Sequence, residues 1–94
     1  MAWFLYLIEC HDGSLYTGIT TDVARRYAEH ASGRGARYTR SHPPQQLLMV
    51  QECADRADAS RQEYRLKQLT PPQKRALCLQ YPPAPSLLVA CSVP

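Results

Sequence analysis

Trp3-Phe4-Leu5-Tyr6-Leu7-Ile8-Glu9-Cys10 is a run of aromatic and aliphatic side chains with no breaker, the composition of a strand buried on both faces. His11-Asp12-Gly13 follows with turn chemistry, and Leu15-Tyr16-Thr17-Gly18-Ile19-Thr20 resumes β-favouring residues, so residues 3–20 read as a hairpin around a central strand. The length of its turn decides where two tyrosines go. A two-residue Asp12-Gly13 turn pairs positions summing to 25 and sends Tyr6 and Tyr16 to opposite faces. A three-residue loop with Gly13 left-handed pairs positions summing to 24 and puts both tyrosines on one face. The three-residue loop is the expectation.

Working outward, Thr21-Asp22 offers a helix cap, and Val23, Ala24, Tyr27, Ala28 and Ala31 recur at helical spacing until Gly33, predicting a helix over about 22–32. Arg26 and His30, four apart, share one face of it. Residues 33–45 hold two glycines, two prolines and three arginines and read as an arginine-bearing loop. A third strand is expected over 46–53. A second helix follows, capped by Asp55 or Asp58, running to about Leu69 and carrying Glu63 and Lys67. Thr70-Pro71-Pro72 opens a third helix over about 71–80. The expectation is an α+β fold (α/β in the broad sense): a small, mainly antiparallel three-stranded sheet with about three helices. Residues 1–81 form the domain and 82–94 a proline-rich tail whose apolar Leu87–Ala90 run is free to pack on the core, add an edge strand or meet a partner.

Ninety-four residues suffice for one compact domain. The aliphatic runs stop far short of a membrane span, and no basic leader precedes the first strand; the expected location is cytoplasmic, with no membrane partner. Cys10, Cys53, Cys78 and Cys91 are too scattered for a zinc motif and read as small buried thiols. The formal charge of +3 is concentrated: five arginines (25, 26, 34, 37, 40) against two acids fall between Asp22 and His42, while acids and bases balance elsewhere. A basic stretch interleaved with tyrosine and histidine is a candidate phosphate-facing surface.

Taken together, the hairpin carries two tyrosines, the next helix an arginine and a histidine, and a later helix a glutamate. Phosphodiester hydrolysis needs an activated water, stabilised phosphoryl charge and a protonated leaving oxygen, chemistry that these residue types supply with a metal. Singly, each has an ordinary structural explanation: strand tyrosines pack, helical arginines are solvated, and Glu63 with Lys67 makes an i,i+4 surface pair.

Phe4-Leu5-Tyr6 and Tyr16-Thr17-Gly18, with Arg26 eight and His30 twelve residues after Gly18 and Glu63 on the helix after the third strand, resemble the ordered motifs of the GIY-YIG nuclease superfamily. The resemblance runs from about Trp3 to Arg75 and is strongest to its small single-domain bacterial YhbQ-like group. It implies a metal-dependent endonuclease acting on nucleic acid, DNA favoured, in structure-specific cleavage, repair or recombination. By the same resemblance, Glu63 holds Mg²⁺ or Mn²⁺, Arg26 neutralises the developing phosphoryl charge, and Tyr6 helps activate the water. Tyr16 orients the phosphate or shares that task, and His30 positions or relays the proton. Whether Tyr6 or His30 takes the proton stays open. Arg25, Arg34, Arg37, Arg40 and Lys67 are candidate nucleic-acid contacts, with Arg25 second to Arg26; Gly13 and Gly18 are structural turn residues. Many members carry an asparagine after the metal glutamate. This chain has none, and Gln73 is the polar stand-in. A non-catalytic nucleic-acid-binding module with the same fold is the alternative.

Overall fold

The computed structural model describes residues 1–91. Three strands, β1 (Trp3–Cys10), β2 (Leu15–Thr20) and β3 (Pro44–Cys53), form an antiparallel sheet in the order β2-β1-β3. Five helices accompany it: α1 (Val23–Ala31), α2 (Arg37–Ser41), α3 (Arg56–Lys67), α4 (Pro71–Cys78) and α5 (Pro85–Ala90). The first strand is central, as its uninterrupted apolar run requires.

The hairpin closes through the three-residue loop. Cys10 and Ser14 pair across it, Gly13 adopts φ +84°, and the register sets Tyr6 opposite Gly18 and Ile8 opposite Tyr16. Both tyrosines therefore lie on one face. Successive β1 residues alternate between two cores. Leu5 and Leu7 meet Met49, Ala59, Leu66 and Cys78 under α3 and α4, whereas Tyr6, Ile8 and Cys10 meet Val23, Tyr27 and Cys91 under α1 and α5. All four cysteines are free and buried, in keeping with the expectation of packing thiols.

Register shifts in β3 serve this two-faced core. Leu7 pairs with Met49 and Ile8 with Leu47, leaving Leu48 as an extra residue; the bulge turns Leu47 and Met49, which a regular strand would keep together, toward opposite cores. Helix starts follow local chemistry. Asp22 caps α1 through Arg25 N, Asp55 caps α3 through Asp58 N, and Thr70 with Gln73 makes a full capping box on α4 behind two prolines.

Two expectations need correcting. The segment 33–45 is not a plain loop: Arg37–Ser41 form α2, and β3 starts at Pro44 rather than Gln46. One turn and a half is too short to display a helical period, and what holds it is the buried Thr39, a tertiary contact that composition cannot reveal. The tail also gains order. Tyr81 O accepts from Val50 N along the outer edge of β3, and Leu87 and Cys91 pack into the α1-side core, so of the open alternatives the tail packs on the core through α5. Among the described residues, no helix is long and apolar enough to cross a membrane.

The two hairpin glycines should differ sharply on substitution. A methyl at Gly18 would meet the Tyr6 ring, with Cζ at 2.6 Å, whereas at Gly13 no atom lies within 4 Å and only the positive φ is strained. Gly18→Ala should cost about 2–3 kcal/mol by overpacking and Gly13→Ala about 1 kcal/mol, as read from paired urea titrations; equal costs would contradict this register.

Candidate active site

Because Gly18 has no side chain, the Tyr6 ring lies across β2 at this point, and its phenol reaches α1. There it meets the Nε2 of His30 at 2.8 Å. Both residues are essentially inaccessible, at 2% and 1% exposure, so their polar atoms must satisfy one another. The other ring nitrogen of His30, Nδ1, lies 2.7 Å from Thr39 Oγ1, whose hydroxyl donates to Ala36 O at 3.0 Å. Thr39 has one hydrogen to give and it is spent on that carbonyl. His30 Nδ1–H is therefore the donor to Thr39, Nε2 is bare, and the Tyr6 O–H donates to it. Gly35 closes the pocket from behind, leaving no room for a Cβ against His30, whose Cα would be 2.8 Å away.

The electrostatics agree with this proton arrangement. Burial and the nearby Arg26 charge lower the His30 pKa to about 4, so the imidazole is neutral. Burial, then the neighbouring Tyr16, pushes Tyr6 up to about 12, against the opposing pull of Arg26. Arg26 is itself raised: burial works against its charge, but Glu29 and Tyr6 outweigh it. Its guanidinium pairs with Glu29 at 3.0 Å and remains about one-third exposed. Tyr16 stands edge-on to His30 at 5.0 Å between centroids and 6.4 Å from the Tyr6 ring.

Tyr6, Tyr16, Arg26 and His30, far apart in sequence, thus share one corner. Glu63 comes from α3: it is half-buried and paired with Lys67 at 3.5 Å, and its charge is felt at Tyr6. Arg25, Arg34, Arg37 and Arg40 are exposed. Gln73 caps α4, its Oε1 accepting from Thr70 N at 2.9 Å. Thr39 went unread in the sequence, where it sits among arginines; its only sequence mark is a hydroxyl nine positions after His30.

The donor set bears on a divalent metal. Among the described residues, no three His, Cys, Asp or Glu side chains group as a cage. A lone, half-buried carboxylate suits a hard ion that keeps most of its water and takes substrate oxygens, and Glu63 fits that requirement.

The chain matches the GIY-YIG catalytic domain over residues 2–76. It is 56% identical over 77 residues to a UPF0213 protein of Desulfotalea psychrophila, covering 81% of this chain and 70% of that one. It is 47% identical over 92 residues to the UPF0213 protein YhbQ of Salmonella arizonae, covering 98% and 92%. Among solved structures it resembles the solution structure of a UPF0213 protein from Bacillus halodurans at 40% identity and a TM-score of 0.56, covering 95% of this chain and 94% of that one.

The pH dependence of stability tests the hydrogen-bonded pair. An unfolded histidine binds a proton near pH 6.5 but His30 only near 4, so acid favours the unfolded chain through that interval. Tyr6 loses its proton near pH 12 when folded and near 10 when unfolded, so its contribution is full below 10 and declines from 10 to 12. Stability should plateau between about pH 6.5 and 10 and fall on both sides, measured as Tm in matched buffers. Thr39→Val should cost about 1–3 kcal/mol by stranding the Nδ1–H and shift the His30 ¹⁵N signals, while Thr39→Ser keeps both.

Proposed function

The chain belongs to the GIY-YIG family, whose catalytic domain points to endonuclease activity on nucleic acid, and we propose that it is a divalent-metal-dependent endonuclease acting on DNA. The observation that carries the proposal is the buried Tyr6–His30 hydrogen bond beside Arg26: a phenol too weakly acidic to release its proton to water, given a neutral acceptor aimed at it.

In this reading the attacking water gives its proton to the Tyr6 oxygen as the phenol proton passes to His30 Nε2, so no free phenolate forms; the water oxygen bonds to phosphorus as the P–O bond to the leaving oxygen breaks, and that oxygen takes a proton from solvent. The resulting imidazolium has both N–H groups partnered, one by Tyr6 and one by Thr39. Arg26 makes that cation unfavourable before substrate arrives, since its charge lowers the His30 pKa. A phosphate seated on Arg26 offsets this field and raises the basicity of His30 when it is needed. To receive the phosphate, Arg26 exchanges its pairing with Glu29 for a forked contact with phosphoryl oxygens. Tyr16, less enclosed, orients the same phosphate. Glu63 would hold Mg²⁺ or Mn²⁺, which when bound supplies Lewis-acid polarisation of the phosphoryl group. Arg25, Arg34, Arg37, Arg40 and Lys67, all exposed, contact the backbone without selecting sequence.

Arg26→Ala and Glu63→Ala should each lower cleavage of labelled DNA by at least about 100-fold with the melting temperature nearly unchanged, and EDTA should abolish the wild-type reaction. Full activity of Glu63→Ala would remove the metal carboxylate from this scheme. Salt-dependent binding without cleavage in Mg²⁺ or Mn²⁺ would make the chain a binding module with a nuclease fold.

A further inference from the structure

The ring contacts do not stop at the reaction centre. Tyr38 on α2 stacks on Tyr16 with centroids 5.9 Å apart and planes 24° from parallel, and His42 stacks on Tyr38 at 4.2 Å and 20°. A column of three aromatic rings thus runs from the buried His30, which Tyr16 meets edge-on, out to solvent. Its outer members are open, with Tyr38 37% exposed and the His42 side chain 36%.

The last ring is also held in place. His42 Nδ1 meets Asp12 Oδ2 at 2.6 Å, and Asp12 Oδ1 accepts from both the amide and the hydroxyl of Ser14, at 3.0 and 2.6 Å. These bonds join the hairpin loop to the end of α2 and grip the imidazole at its edge. A ring fixed by its edge keeps its plane. Arg37 and Arg40 of the same helix are exposed, and neither forms an ion pair among the described residues, so α2 carries positive charge that no acid pairs.

We propose that Tyr38 and His42 form a nucleobase-binding ledge: a base belonging to a nucleotide near the phosphate engaged by Arg26 continues the ring column, with Asp12 and Ser14 holding the ledge in plane. The proposal rests on the nuclease reading for what the ledge serves. The ligand class follows from the surface itself. The outermost ring, His42, accepts any base by its π-face, and the positive charge of α2 favours the phosphates attached to it. Held this way, the nucleotide fixes the phosphate at the end of the column where Tyr16, Tyr6 and His30 lie. Tyr38 and His42 are positioning residues for the substrate and take no part in proton transfer.

The test is a binding cycle on the full-length protein in EDTA, using DNA oligonucleotides, single-stranded and paired, in which one abasic residue is moved along the strand. One abasic position should weaken wild-type binding about tenfold, the loss of one base stack, and leave His42→Ala, already weakened by the same factor, unchanged. His42→Phe keeps the ring and loses the Asp12 bond, so it should keep the same abasic position sensitive with a smaller loss than wild type; His42→Leu replaces the alanine variant if that one melts early. If no abasic position separates wild type from His42→Ala, or if His42→Phe behaves like alanine, the ring column is a clamp between loop and helix and the ledge is refuted. Cleavage of the same strands in Mg²⁺ is scored separately. Cutting without the abasic pattern overturns the ledge and leaves the nuclease reading standing, whereas the pattern without cutting overturns the nuclease reading and keeps the ledge.

Discussion

The hydrogen bond from Tyr6 to His30 is the constraint around which the rest of this small domain is arranged. It places two polar groups in the interior on the α1 side of the sheet, where an unpaired phenol or imidazole would cost on the order of 1–3 kcal/mol each. The surrounding residues can be understood as the conditions for that bond. Gly18 leaves the ring its path over β2, Gly35 lets the chain pass close behind His30, and Thr39 occupies the far nitrogen. Every hydrogen in the sequence Tyr6, His30, Thr39, Ala36 carbonyl has one destination, which fixes the tautomer without any acid in the chain of bonds.

Packing and chemistry are divided between the faces of one strand. Leu5 and Leu7 build an ordinary aliphatic core beneath α3 and α4, while Tyr6 and its even-numbered neighbours face α1. A slip of one residue in the hairpin would exchange these faces, so the turn His11-Asp12-Gly13 sets which residues meet the histidine as well as how the sheet closes. That turn is in turn tied to distant parts of the chain: Asp12 to His42, and the Gly13 carbonyl to Arg75, which also binds Glu9 at 2.7 Å. Loop, sheet end and α4 are thereby coupled. Exposed pairs of this kind add little stability individually; their contribution is to keep the loop in one place.

Much of this was legible in the chain. Alternation and turn length gave the hairpin register and put Tyr6 and Tyr16 on one face, and the helical period brought Arg26 and His30 to the same side of α1. Both are local patterns, settled within a dozen residues. What could not be read depends on contacts between segments. Nothing in Gly33–Pro44 advertises a helix, because α2 is short and is held by Thr39 reaching His30. The one-residue bulge at Leu48 is equally silent, since an all-apolar strand looks the same in either register. The role of Gln73 as a helix cap, by contrast, is written locally in Thr70-Pro71-Pro72-Gln73.

The same burial that stabilises the pair also bears on its reactivity. A phenol pushed up to about 12 and an imidazole lowered to about 4 are both held in their neutral forms, each by desolvation first. Neither is a competent base or acid alone at neutral pH. Joined by a 2.8 Å bond, they need only shift a proton along it once an external charge changes the field, and Arg26, which takes part in setting both values, is the group through which an anionic ligand would act. A site built in this way stays quiet in the absence of an anion because its resting state is the stable one. On the proposed reading, the response to a phosphate would follow from electrostatics already present in the fold.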